Sequence, residues 1–389
     1  MEHPQPVFAP PSVEEMERRL ARVRELMAER ELDAYVAASP DNVFYLTNFA
    51  NYVHERPFVL VVGKDSPLTF VVPKLEVPHV RSRVIGEVEI AMYPEFPAPK
   101  GQGWADRLRA VIPSGVRVGV ESTCPLQVYV AIAGTHVVAD VIDEARAIKT
   151  PYEQGRIAYS CALISEANRA FMKGARPGKP LIQASPEVTA GLLPRILRDN
   201  PFTNMLATRI QAVFQPPSVS HDPHNFTNVH MTMVEGGPHV SIINATINGY
   251  GSEIERSFFL GAVPDKARRP FEVMMEARAV AFEFTVPGKV MSDVDRQVNN
   301  VFKKAGFGAN LLHRTGHGIG VTGHEAPFLA EGHDEVIMPG MVFSIEPGIY
   351  ISGLGGFRHS DTVLTTAQGN VALTDGSVVL DEVTLPVTT

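Results

Sequence analysis

The stretch His313-Arg314-Thr315-Gly316-His317-Gly318-Ile319-Gly320, followed by His324-Glu325-Ala326-Pro327 and then Gly340-Met341-Val342-Phe343-Ser344-Ile345-Glu346-Pro347-Gly348-Ile349-Tyr350, decides how the rest of the chain is read. Two histidines at this spacing do not share a helix face comfortably. The glycines between them predict a strand-turn-strand frame in which both rings reach one cavity. In such a frame His317 can offer a neutral imidazole nitrogen, and His324 can donate a hydrogen bond to a developing oxyanion. Glu346 closes an apolar run just before Pro347-Gly348, where a carboxylate is costly to bury without a cation or several donors. A pair of satisfied histidines and a surface glutamate is the competing reading, and the whole frame outweighs it.

Around this stretch lie 389 residues, long for one hydrophobic core, so two domains are expected. The formal net charge of -8 argues against a nucleic-acid-binding protein. Apolar runs such as Phe58-Val59-Leu60-Val61-Val62 are too short to cross a bilayer and read as buried strands, so no membrane association is expected. The opening Met1-Glu2-His3-Pro4-Gln5 has neither the basic head nor the apolar run of a signal peptide. Cys124 and Cys161 make neither a disulfide scaffold nor a thiolate cluster, and a reducing cytoplasm fits best.

Met16, Leu20, Val23 and Met27 predict a first helix, with Ser12 as cap and Glu15 completing a capping box. Strands are predicted at Val43 to Phe49, Phe58 to Val62 and Leu68 to Val72, then a helix over Gly103 to Ile112. Asp143 to Thr150, followed by Pro151, reads as a linker, which divides the chain into 1–147 and 148–389. Beyond it the spacing predicts helices over Tyr152 to Gly174, Pro186 to Arg198, Arg268 to Phe284 and Asp293 to Ala305. Strands are predicted at His239 to Ile247, Ile254 to Leu260, Met341 to Ile345 and Thr362 to Leu364.

The 313–350 stretch closely resembles the C-terminal signature of the creatinase/prolidase/methionine-aminopeptidase family. The resemblance implies an α+β fold: a C-terminal pita-bread domain preceded by a smaller α/β domain of the creatinase/prolidase N-terminal type. Peptidase members bind two divalent metals through two Asp, one His and two Glu. By resemblance, His317 is the metal histidine, His324 the histidine that contacts substrate or the tetrahedral species, and Glu346 the first C-terminal metal glutamate. Tyr250-Gly251-Ser252-Glu253-Ile254-Glu255-Arg256-Ser257 resembles the family's Tyr-x-Ser-Asp-Ile-Thr-Arg-Thr and puts Glu253 on the bridging aspartate. The other aspartate falls on Ile242, or on Asn244 if the hairpin is shorter. The closing Arg-x-Glu-Asp reads Arg358-His359-Ser360-Asp361, with serine at the second metal glutamate. His359 or Asp361 could replace it only in another strand register. Glu253, His317 and Glu346 survive, enough for at most one divalent ion such as Mn, Co or Zn, and equally compatible with none.

Other segments resemble creatinase, the member that hydrolyses without metal. His224-Asn225 with Thr227 resembles the surroundings of its catalytic histidine, with His221, His230 and His239 as alternatives. Glu255-Arg256 resembles the segment whose glutamate holds a guanidinium group. Arg56-Pro57 sits where creatinase supplies a carboxylate-binding arginine, and His313 falls on the substrate side of the site. Phe328 to Pro339, where creatinase has a second arginine, contains no Arg or Lys. Tyr45-Leu46-Thr47-Asn48-Phe49 supports the two-domain subfamily, for which a homodimer is implied.

The expected activity is hydrolysis of an amide C–N bond in a small peptide, as in an Xaa-Pro dipeptidase or aminopeptidase. His224, His324 and Glu346 would be catalytic, Arg56, Glu255 and His313 would bind substrate, and Glu253, His317 and Glu346 would hold metal. Alternatives are a metal-independent hydrolase of a small amidino or amide compound, and a catalytically silent binding protein.

Overall fold

The computed structural model describes residues 3–112, 114–226 and 230–387. The chain forms two compact units, 9–146 on one side of the division and 1–8 with 147–389 on the other.

In the 9–146 unit a mixed sheet runs in the order Val88–Tyr93, Leu68–Pro73, Val59–Gly63, Ala34–Ala37, Val118–Val120, His136–Val138. Its apolar face packs Val36, Val61, Val71 and Val120 against Trp104 and Leu108 of the helix Trp104–Val111. The first helix, Val13–Glu29, begins as predicted, with the Ser12 hydroxyl accepting from the Glu15 N–H.

Two local expectations change. Within Val43 to Phe49, expected as a strand, Val43 to Thr47 form the last turns of the helix Pro40–Thr47. Its N-terminal turn follows Ser39, proline occupies the first turn, and Asn48 ends it in the left-handed region at φ 61. The buried Glu121 carboxylate accepts from the N–H groups of Ala38 and Ser39 and from Asn42, fixing this start in place. The segment expected as a linker is largely helical, Val141–Ala147.

The larger unit is built on a nine-stranded sheet. Its main path runs Glu325–Leu329, Gly316–Gly318, Val342–Ile345, Ser360–Thr366, Tyr250–Leu260, Gly236–Ile247, Arg209–Gln215. A continuous apolar cluster joins the sheet to the helices Pro151–Lys173, Ala184–Asp199, Asp265–Phe284 and Met291–Lys304 through Phe171, Phe214, Phe258, Phe271, Met274, Phe302 and Phe343. Removing side chains of this size from water stabilises the unit by roughly 1.5–3 kcal/mol each. Period-two alternation then decides the site. On the 250–260 strand Ile254 and Phe258 enter the core, so Glu253 and Glu255 face the opposite side.

Candidate active site

Five neighbouring strands bring the expected residues together. His317 pairs in register with Ser344, Ser344 with Thr362, and Asn244 with Glu253. Glu346 follows directly after the 342–345 strand, and its N–H donates to Thr315 O at 2.9 Å. Thr315 is itself held by Asp295 of the 291–304 helix, whose carboxylate accepts from the Thr315 N–H at 2.9 Å and its hydroxyl at 2.7 Å. Glycine at 316 is required by close approach, because a Cβ there would stand 2.0 Å from Ser344 O.

His317 is fully buried. Its Nδ1 lies 3.0 Å from Gly318 O, which assigns the proton to Nδ1 and leaves Nε2 as a lone pair. That Nε2 has no hydrogen-bond partner and stands 3.4 Å from Glu346 Oε1. The exposed His324 ring stacks on His317 with centroids 3.6 Å apart, and its Nε2 is 4.0 Å from Glu253 Oε2. Glu253, His317 and His324 bring ligand atoms within 4.8 Å of one another, as do Glu253, Glu255 and Glu346.

Electrostatics follow from this crowding. Burial pushes the Glu253 carboxyl up, but His317, the hydroxyls of Ser360 and Ser344, and His324 outweigh it and hold it below its usual value. Glu253 Oε1 accepts from Ser360 at 2.7 Å and Ser344 at 2.8 Å. Burial is the largest effect on Glu255 and pushes its carboxyl well up; Glu253 and Glu346 add to this, and Arg358 opposes it. Partial desolvation against the site, with the neighbouring His317 ring second, lowers the half-covered His324 ring below its ordinary value, so at neutral pH it is neutral and keeps one N–H to donate.

Other predicted residues are distributed around this cluster. His313 Nε2 lies 2.7 Å from the Tyr350 hydroxyl, and burial lowers its pKa, with a further small depression from His224. His224 is exposed in the loop after Gln215, and Thr227 lies outside the described residues. Ser220 pins this loop, accepting from the Gly356 N–H at 2.9 Å. His239 is a core histidine stacked on Phe258, its Nε2 accepting from the Val234 N–H. Arg56, expected to bind a carboxylate, lies in the 9–146 unit with its guanidinium on Glu95 at 2.7 Å and Glu55 at 2.6 Å. Asn244 and Ile242 leave the first acidic position without a carboxylate. Neither His359 nor Asp361 compensates. Asp361 accepts from Arg256, Arg278 and Thr374, and the buried His359 packs edge-on to Phe271.

Sequence reasoning missed three groups. Ser344 supplies the second hydroxyl on Glu253, signalled only by its pairing opposite His317. The buried Lys149 ammonium meets Glu325 Oε1 at 2.9 Å, anchoring the residue next to His324. Arg358, noticed only as part of a motif, reaches Glu255.

The resemblance implies a divalent ion, and the orphaned His317 Nε2 facing Glu346 and Glu253 tests the fit: mixed nitrogen and oxygen donors suit one ion there. Beyond that position the donors are spent on hydroxyls or on Arg358, and the residues do not fit a second.

A nine-stranded sheet carrying inward carboxylates and histidines over a helical core defines a pita-bread hydrolase with a separate α/β N-terminal unit. Residues 155–367 match the model of metallopeptidase family M24, and 19–148 that of the creatinase/prolidase N-terminal domain. The chain belongs to metallopeptidase family M24 and is a hydrolase of the peptidase class. It is similar to the Xaa-Pro dipeptidase of Pyrococcus furiosus, 27% identical over 92% of this chain and 98% of that one. The Xaa-Pro dipeptidase of Lactobacillus helveticus is 29% identical over 90% and 95%. The structure of an Xaa-Pro dipeptidase from Bacillus anthracis shares the fold, with TM-score 0.80 at 22% identity over 96% of this chain and all of that one. Among the described residues no helix is long and apolar enough to cross a membrane.

Proposed function

We propose that this chain hydrolyses the amide C–N bond of a small Xaa-Pro peptide at a centre that holds one divalent ion through Glu253, His317 and Glu346. The observation that carries the reading is the buried, partnerless His317 Nε2 aimed at Glu346 within a cluster of carboxylates. An ion bound there supplies Lewis-acid charge beside the scissile carbonyl. Glu346 would accept the proton of the attacking water, and the neutral His324 ring would donate its N–H to the oxygen that becomes negative as the carbonyl carbon turns tetrahedral. His224, on the exposed loop, would return a proton to the leaving nitrogen as the C–N bond breaks. The relatives named as Xaa-Pro dipeptidases support the substrate class. The reading extends to a homodimer on the resemblance of the N-terminal unit alone.

Metal-free handling of an amidino compound is less well supported, because Arg358 already occupies Glu255, the expected anchor. The two readings separate by elemental mass spectrometry on protein purified without added metal or chelator, with Xaa-Pro dipeptide assays before and after chelation. About one ion per chain and turnover lost to chelator, then restored by Mn, Co or Zn, is the expected result. Chelator-resistant turnover, or no ion bound after supplementation, overturns it.

A further inference from the structure

A dipeptide presents one negative charge beyond its reacting centre, the free α-carboxylate, and few cations are at hand to meet it. Arg56 spends its guanidinium on Glu95 and Glu55. In the larger unit Arg358 is held by Glu255, Lys149 by Glu325, and Arg256 and Arg278 by Asp361. Arg314 differs. Its Nε donates to Gly316 O at 3.2 Å, its guanidinium carbon lies 4.6 Å from the centre of the Phe328 ring, and among the described residues it enters no ion pair. The carbonyl fixes one edge of the fork and the ring fixes its plane, so both Nη groups remain to donate side by side to a carboxylate. Register places this cation at the site. Phe328 pairs directly with His317 across neighbouring strands, so its ring shares the face that carries His317. The Arg314 charge is felt by the His324 ring, adding to the depression caused first by burial and then by His317. Neighbouring strands stand about 5 Å apart, and the carboxylate carbon of a dipeptide lies within about 4 Å of its scissile carbonyl carbon. A substrate whose carbonyl rests beside His317 can therefore bring its carboxylate to the next strand, where Arg314 stacks on Phe328.

We propose that Arg314 binds the free α-carboxylate of a dipeptide substrate, and that this contact selects dipeptides over amidated or longer peptides. A half-buried guanidinium without a counter-charge gains most from an anion that arrives with the substrate. An amide or a further peptide unit in place of the carboxylate offers the fork no charge and only one acceptor oxygen. Arg314 is a substrate-binding residue, separate from the groups that hold the ion or move protons. The inference rests on the peptidase reading above, yet the two fail separately.

The test compares Ala-Pro with Ala-Pro amide as substrates of the full chain in Mn²⁺, for the parent, Arg314→Met and Arg314→Lys. The parent should prefer the free acid by roughly 100-fold in kcat/KM. In Arg314→Met the acid should lose about that factor, chiefly through KM, while the amide stays within roughly twofold of the parent value, so the preference collapses. Arg314→Lys keeps the charge without the fork and should lose roughly tenfold on the acid alone. Equal losses on the two substrates would give Arg314 a structural role and overturn the inference, as would a parent indifferent to amidation. If Arg314→Met does not fold, Arg314→Lys carries the same comparison, and an unchanged ratio of acid to amide in that variant overturns the inference. A parent that turns over neither substrate sinks the peptidase reading. Calorimetric titration with the same two compounds then decides this one: tighter binding of the acid, lost in Arg314→Lys or Arg314→Met, supports it, and equal binding overturns it.

Discussion

At the scale of single residues the centre is a contest over lone pairs. His317 keeps Nε2 free because Gly318 O takes its other nitrogen, while Glu253 keeps only Oε2 because Ser344 and Ser360 take Oε1. Glu253→Ala should therefore abolish tight metal binding and lower turnover by about 100-fold or more. Retention of the ion by that variant would remove Glu253 from the ligand set. His324→Ala should behave differently, lowering kcat by roughly 10²–10³ while metal content stays at the parent level, as expected of an oxyanion donor. Loss of the ion in His324→Ala would instead make that ring a ligand. The identity of these residues was legible in the sequence because glycines and a proline frame them. The roles of Ser344 and Arg358 were not, since a serine or arginine has no fixed meaning until its cross-strand neighbour is known.

Elements position these groups to within the reach of a hydrogen bond. The 316–318 strand lies so close to its neighbour that Gly316 tolerates no side chain, its Cβ position being 2.0 Å from Ser344 O. Gly316→Val should cost roughly 3 kcal/mol or more of stability, read as a lower urea midpoint, and an unchanged midpoint would mean the strands can part freely. Asp295 shows the same dependence from the helix side, since one carboxylate holds Thr315 and, through the Glu331 N–H at 2.8 Å, the turn after the 325–329 strand. Long elements such as Pro151–Lys173 and Asp265–Phe284 were legible from their apolar period. The stretch Val43 to Phe49 was misread because its β-branched and aromatic composition resembles a buried strand. The helix there depends on capping by Glu121, a residue far along the chain.

Over the whole molecule, buried histidines couple stability to pH. Burial pushes His239 down to about 4 from an ordinary 6.5, and burial with Arg256 and Arg278 pushes His359 well below its usual value. The unfolded chain takes up a proton on each ring near pH 6.5 that the folded chain refuses. Stability is therefore complete above that value and falls as pH drops through the window from 6.5 to 4, by roughly 3 kcal/mol for His239 alone. Asp361, held low by Arg256 and Arg278 against burial, adds loss in more acidic solution, while Glu121, raised by burial, works in the opposite direction. Denaturant midpoints at pH 7.5, 6, 5 and 4 should decline, and His239→Phe should flatten part of the slope; a slope unaffected by that change would remove His239 from the account.

The division between sequence and structure follows from the range of the forces involved. The sequence by itself determined the family, the four long helices of the larger unit and its strands around 239–247, 254–260, 341–345 and 362–364, and it singled out Glu253, His317, His324 and Glu346 as candidates, because apolar period and glycine-proline framing are local properties of the chain. Against the family's motifs it also sets Ile242 or Asn244, and Ser360, where acids are expected. Only the tertiary structure decided what surrounds those positions. Glu255 faces Ile242 through strand register, Arg358 reaches Glu255 from a hairpin some hundred residues later, and Ser344 and Ser360 converge on one oxygen. Those are relations between strands, and charge compensation in a buried cavity is set by neighbours in space, which no local pattern encodes.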